Sequence, residues 1–134
     1  MVTMPVRTPQ TDKRLLGEWK SDRARTMRDF AWTRKPTPAR RKRFANIFGH
    51  MIVRYTRSKI HIDLMGQTSS HKYRTIAADS YSVVIAISGG WLQGQEMLTQ
   101  VHFEDDYYWI LIFGSNQREW FKRVKPRGGK KRTD

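Results

Sequence analysis

Residues 50–87 read HMIVRYTRSKIHIDLMGQTSSHKYRTIAADSYSVVIAI, and the period of this stretch decides the fold. Apolar and β-branched side chains recur at about every second position, the pattern of a strand with one face turned to a core rather than of a helix. Breaks near Ser58, in the polar run Gly66 to Ser70 and at Asp79-Ser80 divide it into four strands: His50 to Arg57, Lys59 to Met65, His71 to Ala78 and Tyr81 to Ile87. Beyond a longer loop marked by Ser88-Gly89-Gly90 and Gly94, the pattern resumes in Glu96 to Glu104, Tyr107 to Phe113 and Arg118 to Val124. Asp105-Asp106 and Gly114-Ser115-Asn116 are turn chemistry between these three. With Leu15 to Lys20 upstream, the chain holds eight short strands, seven of them consecutive and without βαβ alternation. The expected fold is therefore all-β: an eight-stranded antiparallel up-and-down barrel, since closure removes the edges that so long a meander would expose.

One short helix is expected between the first and second strands. Pro36-Thr37-Pro38 precede the run Ala39 to Phe48, with Thr37 placed as N-cap, Pro38 at the first helical position and Gly49 at its end. Phe44, Ile47 and Phe48 share one side of this helix, which would cover the barrel or close one end.

The 134 residues suit one domain, with a barrel over 14–124, a flexible N-terminus over 1–13 and a basic disordered tail over 125–134. Cysteine is absent, which excludes disulfides, thiol catalysis and Cys-based zinc sites and fits a reducing compartment. No apolar run approaches the ~18 residues that span a bilayer, and Met1 to Lys13 lacks the apolar region of a leader, so a cytoplasmic location is expected.

The net charge of +14 is unevenly spread: +8 lies in residues 23–43 and +4 in 125–134, whereas 44–124 is nearly neutral at +1 and holds 13 of the 16 aromatic residues. Charge decorates the fold and aromatic bulk builds it.

Leu15-Leu16-Gly17-Glu18-Trp19-Lys20 resembles the G-x-W motif on the first strand of lipocalins and of the related intracellular fatty-acid-binding proteins, together the calycin barrels. Its place on the first of eight strands sharpens the likeness. The resemblance implies that Gly17 and Trp19 are structural, with Trp19 at the closed end of the barrel under an arginine of the last strand, Arg123 in preference to Arg118. Fatty-acid-binding proteins also carry a helical lid between their first two strands, but they hold a carboxylate with Arg-x-Tyr on the last strand where this chain reads Arg118-Glu119-Trp120. No specific ligand transfers.

A barrel of eight strands is either filled by side chains or holds one small ligand. For the second case the inward set is expected to include Tyr55, Tyr73, Val83, Ile85, Gln100, His102, Tyr108, Arg118 and Trp120, with Arg118 as the contact for an anionic ligand. A ligand-holding barrel would enclose a cavity of ~300 Å³ or more. His50, His61, His71 and His102 form no metal-spaced pair, and no cofactor or metal is expected. Glu104-Asp105-Asp106 reads as a hairpin tip rather than an acid/base pair, and no nucleophile elbow or phosphate loop is present. Binding is thus expected rather than catalysis: a small apolar or amphipathic molecule, anionic ones included, in a lipocalin-like barrel. The alternative is a nucleic-acid or acidic-partner module using the basic segment 23–43, chiefly Arg34, Lys35, Arg40, Arg41, Lys42 and Arg43, with Phe30 and Trp32 for stacking and the tail for added charge.

Overall fold

Eight strands close on themselves in sequence order. The structure, a computed structural model, describes residues 11–89, 94–112 and 115–125, so residues 1–10 of the expected flexible segment 1–13 and residues 126–134 of the expected tail 125–134 lie outside the described residues. The strands are β1 (Gly17–Ser21), β2 (Met51–Tyr55), β3 (Lys59–Leu64), β4 (Gln67–Ala78), β5 (Ser82–Ser88), β6 (Met97–Glu104), β7 (Tyr107–Leu111) and β8 (Arg118–Arg123). All neighbours are antiparallel, and β8 returns to β1 through Trp19↔Arg123, Lys20↔Lys122 and Ser21↔Phe121, leaving no free edge. The all-β, eight-stranded up-and-down barrel is the fold, and it fits a calycin-like architecture.

Two helices, not one, lie between β1 and β2. The second is the expected one: α2 (Pro38–Ala45) starts with the Thr37 hydroxyl accepting the Arg40 N–H at 3.2 Å. The first, α1 (Arg23–Arg28), is six residues long, capped by the Asp22 side chain, and too short to show a helical period in sequence. Its Thr26 hydroxyl accepts the Trp120 N–H at 2.9 Å, which pins α1 to the outer face of β8. α2 ends at Ala45 rather than running to Phe48, so Ile47 turns out to solvent at 63% exposure instead of joining Phe44 and Phe48 on a covered face. Those two phenylalanines pack instead with Phe30 and Trp32, in a chain of ring contacts between 4.6 and 5.4 Å.

The polar run Gly66 to Ser70 is not a loop. Met65 and Gly66, both at positive φ, make a tight two-residue turn, and β4 starts at Gln67. Polar residues are tolerated there because Gln67 to Ser70, paired only with β3 at the barrel end, are solvated on both faces.

Registers assign every inner-facing side chain, because partners across a ladder share a face and alternation carries the assignment along each strand. Trp19, Val53, Tyr55, Ile60, Tyr73, Val83, Ile85, Val101, Tyr108 and Phe121 form one buried core with Leu15 of the preceding turn. At one end of this core the guanidinium of Arg123 lies 4.2 Å over the Trp19 ring and donates to the carbonyls of Arg14 and Leu16. A contact of this kind is worth ~0.5–2 kcal/mol before its hydrogen bonds are counted.

Gly17 is needed beneath that guanidinium. It sits at φ +113°, and a Cβ there would lie 3.1 Å from Nη1 of Arg123. Gly17→Ala is expected to destabilise the fold by about 1–3 kcal/mol through backbone strain and displacement of Arg123. Urea unfolding measures this, and a variant as stable as the parent would contradict the tight approach.

Candidate functional site

The inner face of the barrel has two unlike halves. Near the β2–β3, β4–β5 and β6–β7 turns it is plugged by aromatic rings: Trp19 lies 4.7 Å from Tyr108, which stacks on Phe121 at 4.9 Å. The hydroxyls of Tyr55 and Tyr108 are hydrogen-bonded to each other at 3.0 Å, and Tyr73 donates to the carbonyl of Thr56. Burial pushes the Tyr55 and Tyr73 phenols up to about 12, and that of Tyr108 well above its ordinary value. All three therefore stay protonated at physiological pH, as neutral hydrogen-bonding groups in a floor.

Toward the end that carries the helices, the inner-facing Met51, Ile62, Ile87, Met97, Thr99 and Ile110 are only half-buried. Apolar side chains that point inward from a closed sheet yet keep partial exposure mark an interior that solvent reaches from one end.

Polar groups in that wall include Ser21, Thr75, Thr99, Glu119 and the buried His71, whose ring nitrogens lie 3.3 Å from the Gly89 carbonyl and the Ser69 hydroxyl. Glu119, paired with Ile110 and one inner step from Phe121, accepts a hydrogen bond from the Ser21 hydroxyl at 2.8 Å. Ser21 in turn accepts the Gly49 N–H at 3.0 Å, tying the segment after α2 to the barrel wall. Thr75 lies four strands away on the opposite wall, 5% exposed, with no hydrogen-bond partner for its hydroxyl. Burial raises the Glu119 carboxyl above the usual range, opposed in part by the Ser21 hydrogen bond. Among the described residues Glu119 has no ion-pair partner.

Of the residues expected to line a cavity, Tyr55, Tyr73, Val83, Ile85 and Tyr108 face inward and come together in the core. Gln100, His102, Arg118 and Trp120 do not: they lie on the outer face. Gln100 is exposed and donates to the Ser82 hydroxyl. His102 stacks flat on Trp109 at 3.7 Å, and the exposed Arg118 lies over the same indole at 4.0 Å. Burial and the neighbouring Arg118 charge lower the His102 pKa, opposed by Asp79. Trp120 is buried from outside, under α1, with the Arg25 guanidinium 3.7 Å from its ring centre. The physical reason is parity: Arg118 and Trp120 stand five and three residues before Arg123, and an odd spacing puts them on the face opposite to the arginine that covers Trp19. The expected role of Arg118 as an internal anion contact is therefore withdrawn. The same arithmetic, started from Arg123, places Glu119 inside and was the signal that would have found it.

The basic residues Arg34, Lys35, Arg40, Arg41, Lys42 and Arg43 are all exposed. Phe30 and Trp32 are not free to stack on bases, being engaged with Phe44. Four clefts of about 390 to 660 Å³ all open on the outside of the barrel, so the expected internal cavity is not among them. The described residues bring no three His, Asp or Glu side chains together as metal ligands, and no described helix is long and apolar enough to cross a membrane.

No family model, curated protein or solved structure matches the chain. Its chemistry has to be argued from the inner face itself.

Glu119 gives that face a measurable signature. A carboxyl whose folded pKa is raised adds stability that is complete below its unfolded value and is lost as pH rises through the folded one. Glu119→Gln cannot titrate, so its stability relative to the parent is expected to improve from pH 4 to pH 8. Urea midpoints of both proteins at the two pH values test this, and a gap independent of pH would show that the carboxyl is not desolvated.

Proposed function

We propose that the protein is a lipocalin-like barrel that binds a small apolar or amphipathic molecule in the half of its interior that the aromatic floor leaves open. The observation that carries this reading is the contrast along the inner face: rings that are buried at one end, Phe103 alone among them half-exposed, and half-exposed apolar side chains with a few polar groups at the other. The G-x-W sequence at Gly17 and Trp19, with Arg123 across the indole, supports the calycin assignment. So do two helices between β1 and β2, where fatty-acid-binding proteins carry their lid. On this reading residues 14–124 form the barrel domain, with 1–13 and 125–134 flexible beside it, and the absence of cysteine goes with a cytoplasmic place of work.

Native mass spectrometry of protein purified from its own host is expected to show a bound small molecule, and a neutral apolar dye should be taken up by the emptied protein. Ile87→Trp, which places an indole in the half-exposed wall, is expected to weaken dye uptake at least about tenfold. Undiminished uptake by this variant would move the binding out of the barrel.

A second reading is favoured by one observation. Six exposed cations on and before α2 have no ion-pair partner among the described residues, an arrangement suited to a nucleic acid or another polyanion. It predicts retention on a polyanion column that falls steeply with salt and drops when Arg40, Arg41, Lys42 and Arg43 are neutralised. Retention unchanged by that variant and by removal of 125–134 would dismiss it.

A further inference from the structure

The chain has 26 Lys and Arg against 12 Asp and Glu, so an acidic side chain has more than two cations to choose from. Asp12, Glu96, Glu104 and Asp106 each take one, whereas Glu18, Asp22, Asp29, Asp63, Asp79 and Asp105 stand without one among the described residues, so what sets Glu119 apart is its facing. Glu119 takes none either, and it is the one carboxylate that the described barrel strands turn inward. The inward cation Arg123 is committed elsewhere, to the Trp19 ring and two carbonyls. What Glu119 does face is a set of neutral groups: the Ser21 hydroxyl from β1, and the Tyr108 phenol from β7, whose pKa the carboxylate helps to raise. Glu119 is half-buried, and a partly desolvated carboxylate without a cation beside it is costly.

We infer that Glu119 receives the polar end of the bound molecule, and that this end is a hydrogen-bond donor, a protonated amine above all, rather than a carboxylate. The inference rests on the ligand-binding reading of the barrel and narrows it to a class. The ligand's apolar part lies along Met51, Ile87 and Ile110, and its head meets Glu119 beside the aromatic floor. The Thr75 hydroxyl, buried and unpartnered on the opposite wall, is a further polar group for the head or for a water beside it. One oxygen of Glu119 is held by Ser21 and the other carries no hydrogen bond from the described residues, so an ammonium or hydroxyl can be received without breaking the Ser21 contact. A carboxylate head would instead place two like charges against each other in a partly desolvated site. The polarity is thus opposite to that of a barrel built to hold a fatty acid.

The test uses the full chain and three probes of equal chain length, octylamine, octanol and octanoate, each competing with a neutral apolar dye at about 0.15 M salt, where the Debye length is ~8 Å. The net positive charge of the chain favours octanoate over octylamine at the surface at large, so an amine preference that disappears in Glu119→Gln reports this residue. The parent is expected to bind octylamine at least about tenfold more tightly than octanoate, with octanol between them. In Glu119→Gln, which keeps an acceptor for Ser21, octylamine should lose its advantage over octanol while octanol binding is retained. Binding of all three without preference, or an amine preference that survives the substitution, overturns the inference and leaves the barrel reading standing. Failure of all three probes and the dye to bind the folded parent overturns the barrel reading itself.

Discussion

The contact on which the rest of the structure depends is Arg123 across Trp19. It sits at the seam where β8 meets β1, the pairing that turns a meander of eight strands into a ring. Closure satisfies the backbone groups that two free edges would have left to water, and the guanidinium fills the seam from within by donating to the carbonyls of Arg14 and Leu16. Gly17 at positive φ makes room for it, and Leu15 and the indole N–H, bonded to the Leu15 carbonyl, draw the preceding turn into the core. A short run of sequence and one distant arginine thereby fix register, closure and the identity of the plugged end together.

From that seam follows the asymmetry of the interior. The parity that puts Arg123 inside also puts Phe121 and Glu119 inside, and Phe121 completes the ring stack with Tyr108 and Trp19. At that level Trp19, Tyr108 and Phe121 are each only 1% exposed. Toward the helix-bearing end the inner-facing Met51, Ile62, Ile87 and Ile110 pack against this core and keep partial exposure. The outer face of β8 takes the complementary role: Trp120 and its backbone N–H hold α1, so the strand that closes the barrel also anchors the start of the segment joining β1 to β2.

That segment is organised by its own small aromatic cluster. Phe30, Trp32, Phe44 and Phe48 pack on one another, and the hydrogen bonds of Gln117 with Ala31 tie them to the β7–β8 connection. The aromatic residues interleaved with the basic block are therefore its scaffold, and the arginines of α2 are what it presents to solvent. Cations without aromatic stacking grip phosphates through charge alone, which gives affinity that salt abolishes and little sequence preference.

Strand number, order and the all-β class were determined by the sequence itself, because a period of two broken by turn residues is a local property that tertiary context rarely reverses. Trp19 and its partner Arg123 were legible for a similar reason, since a strand-borne Gly-x-Trp points to one place in a closed barrel. The short α1 and the continuation of β4 through Gln67-Thr68-Ser69-Ser70 were not, as neither carries an apolar period. Facing was the larger loss. Gln100, His102, Arg118 and Trp120 are expected inside on a choice of strand parity, whereas each strand's orientation is set by its ladder partners, and a shift of one residue exchanges the two faces. The difference between a guanidinium and a carboxyl inside the barrel, Arg118 or Glu119, is that single step. Local pattern can say that a strand has two faces; only the closed sheet, pairing Ile110 with Glu119 and Leu111 with Arg118, decides which of them meets the core.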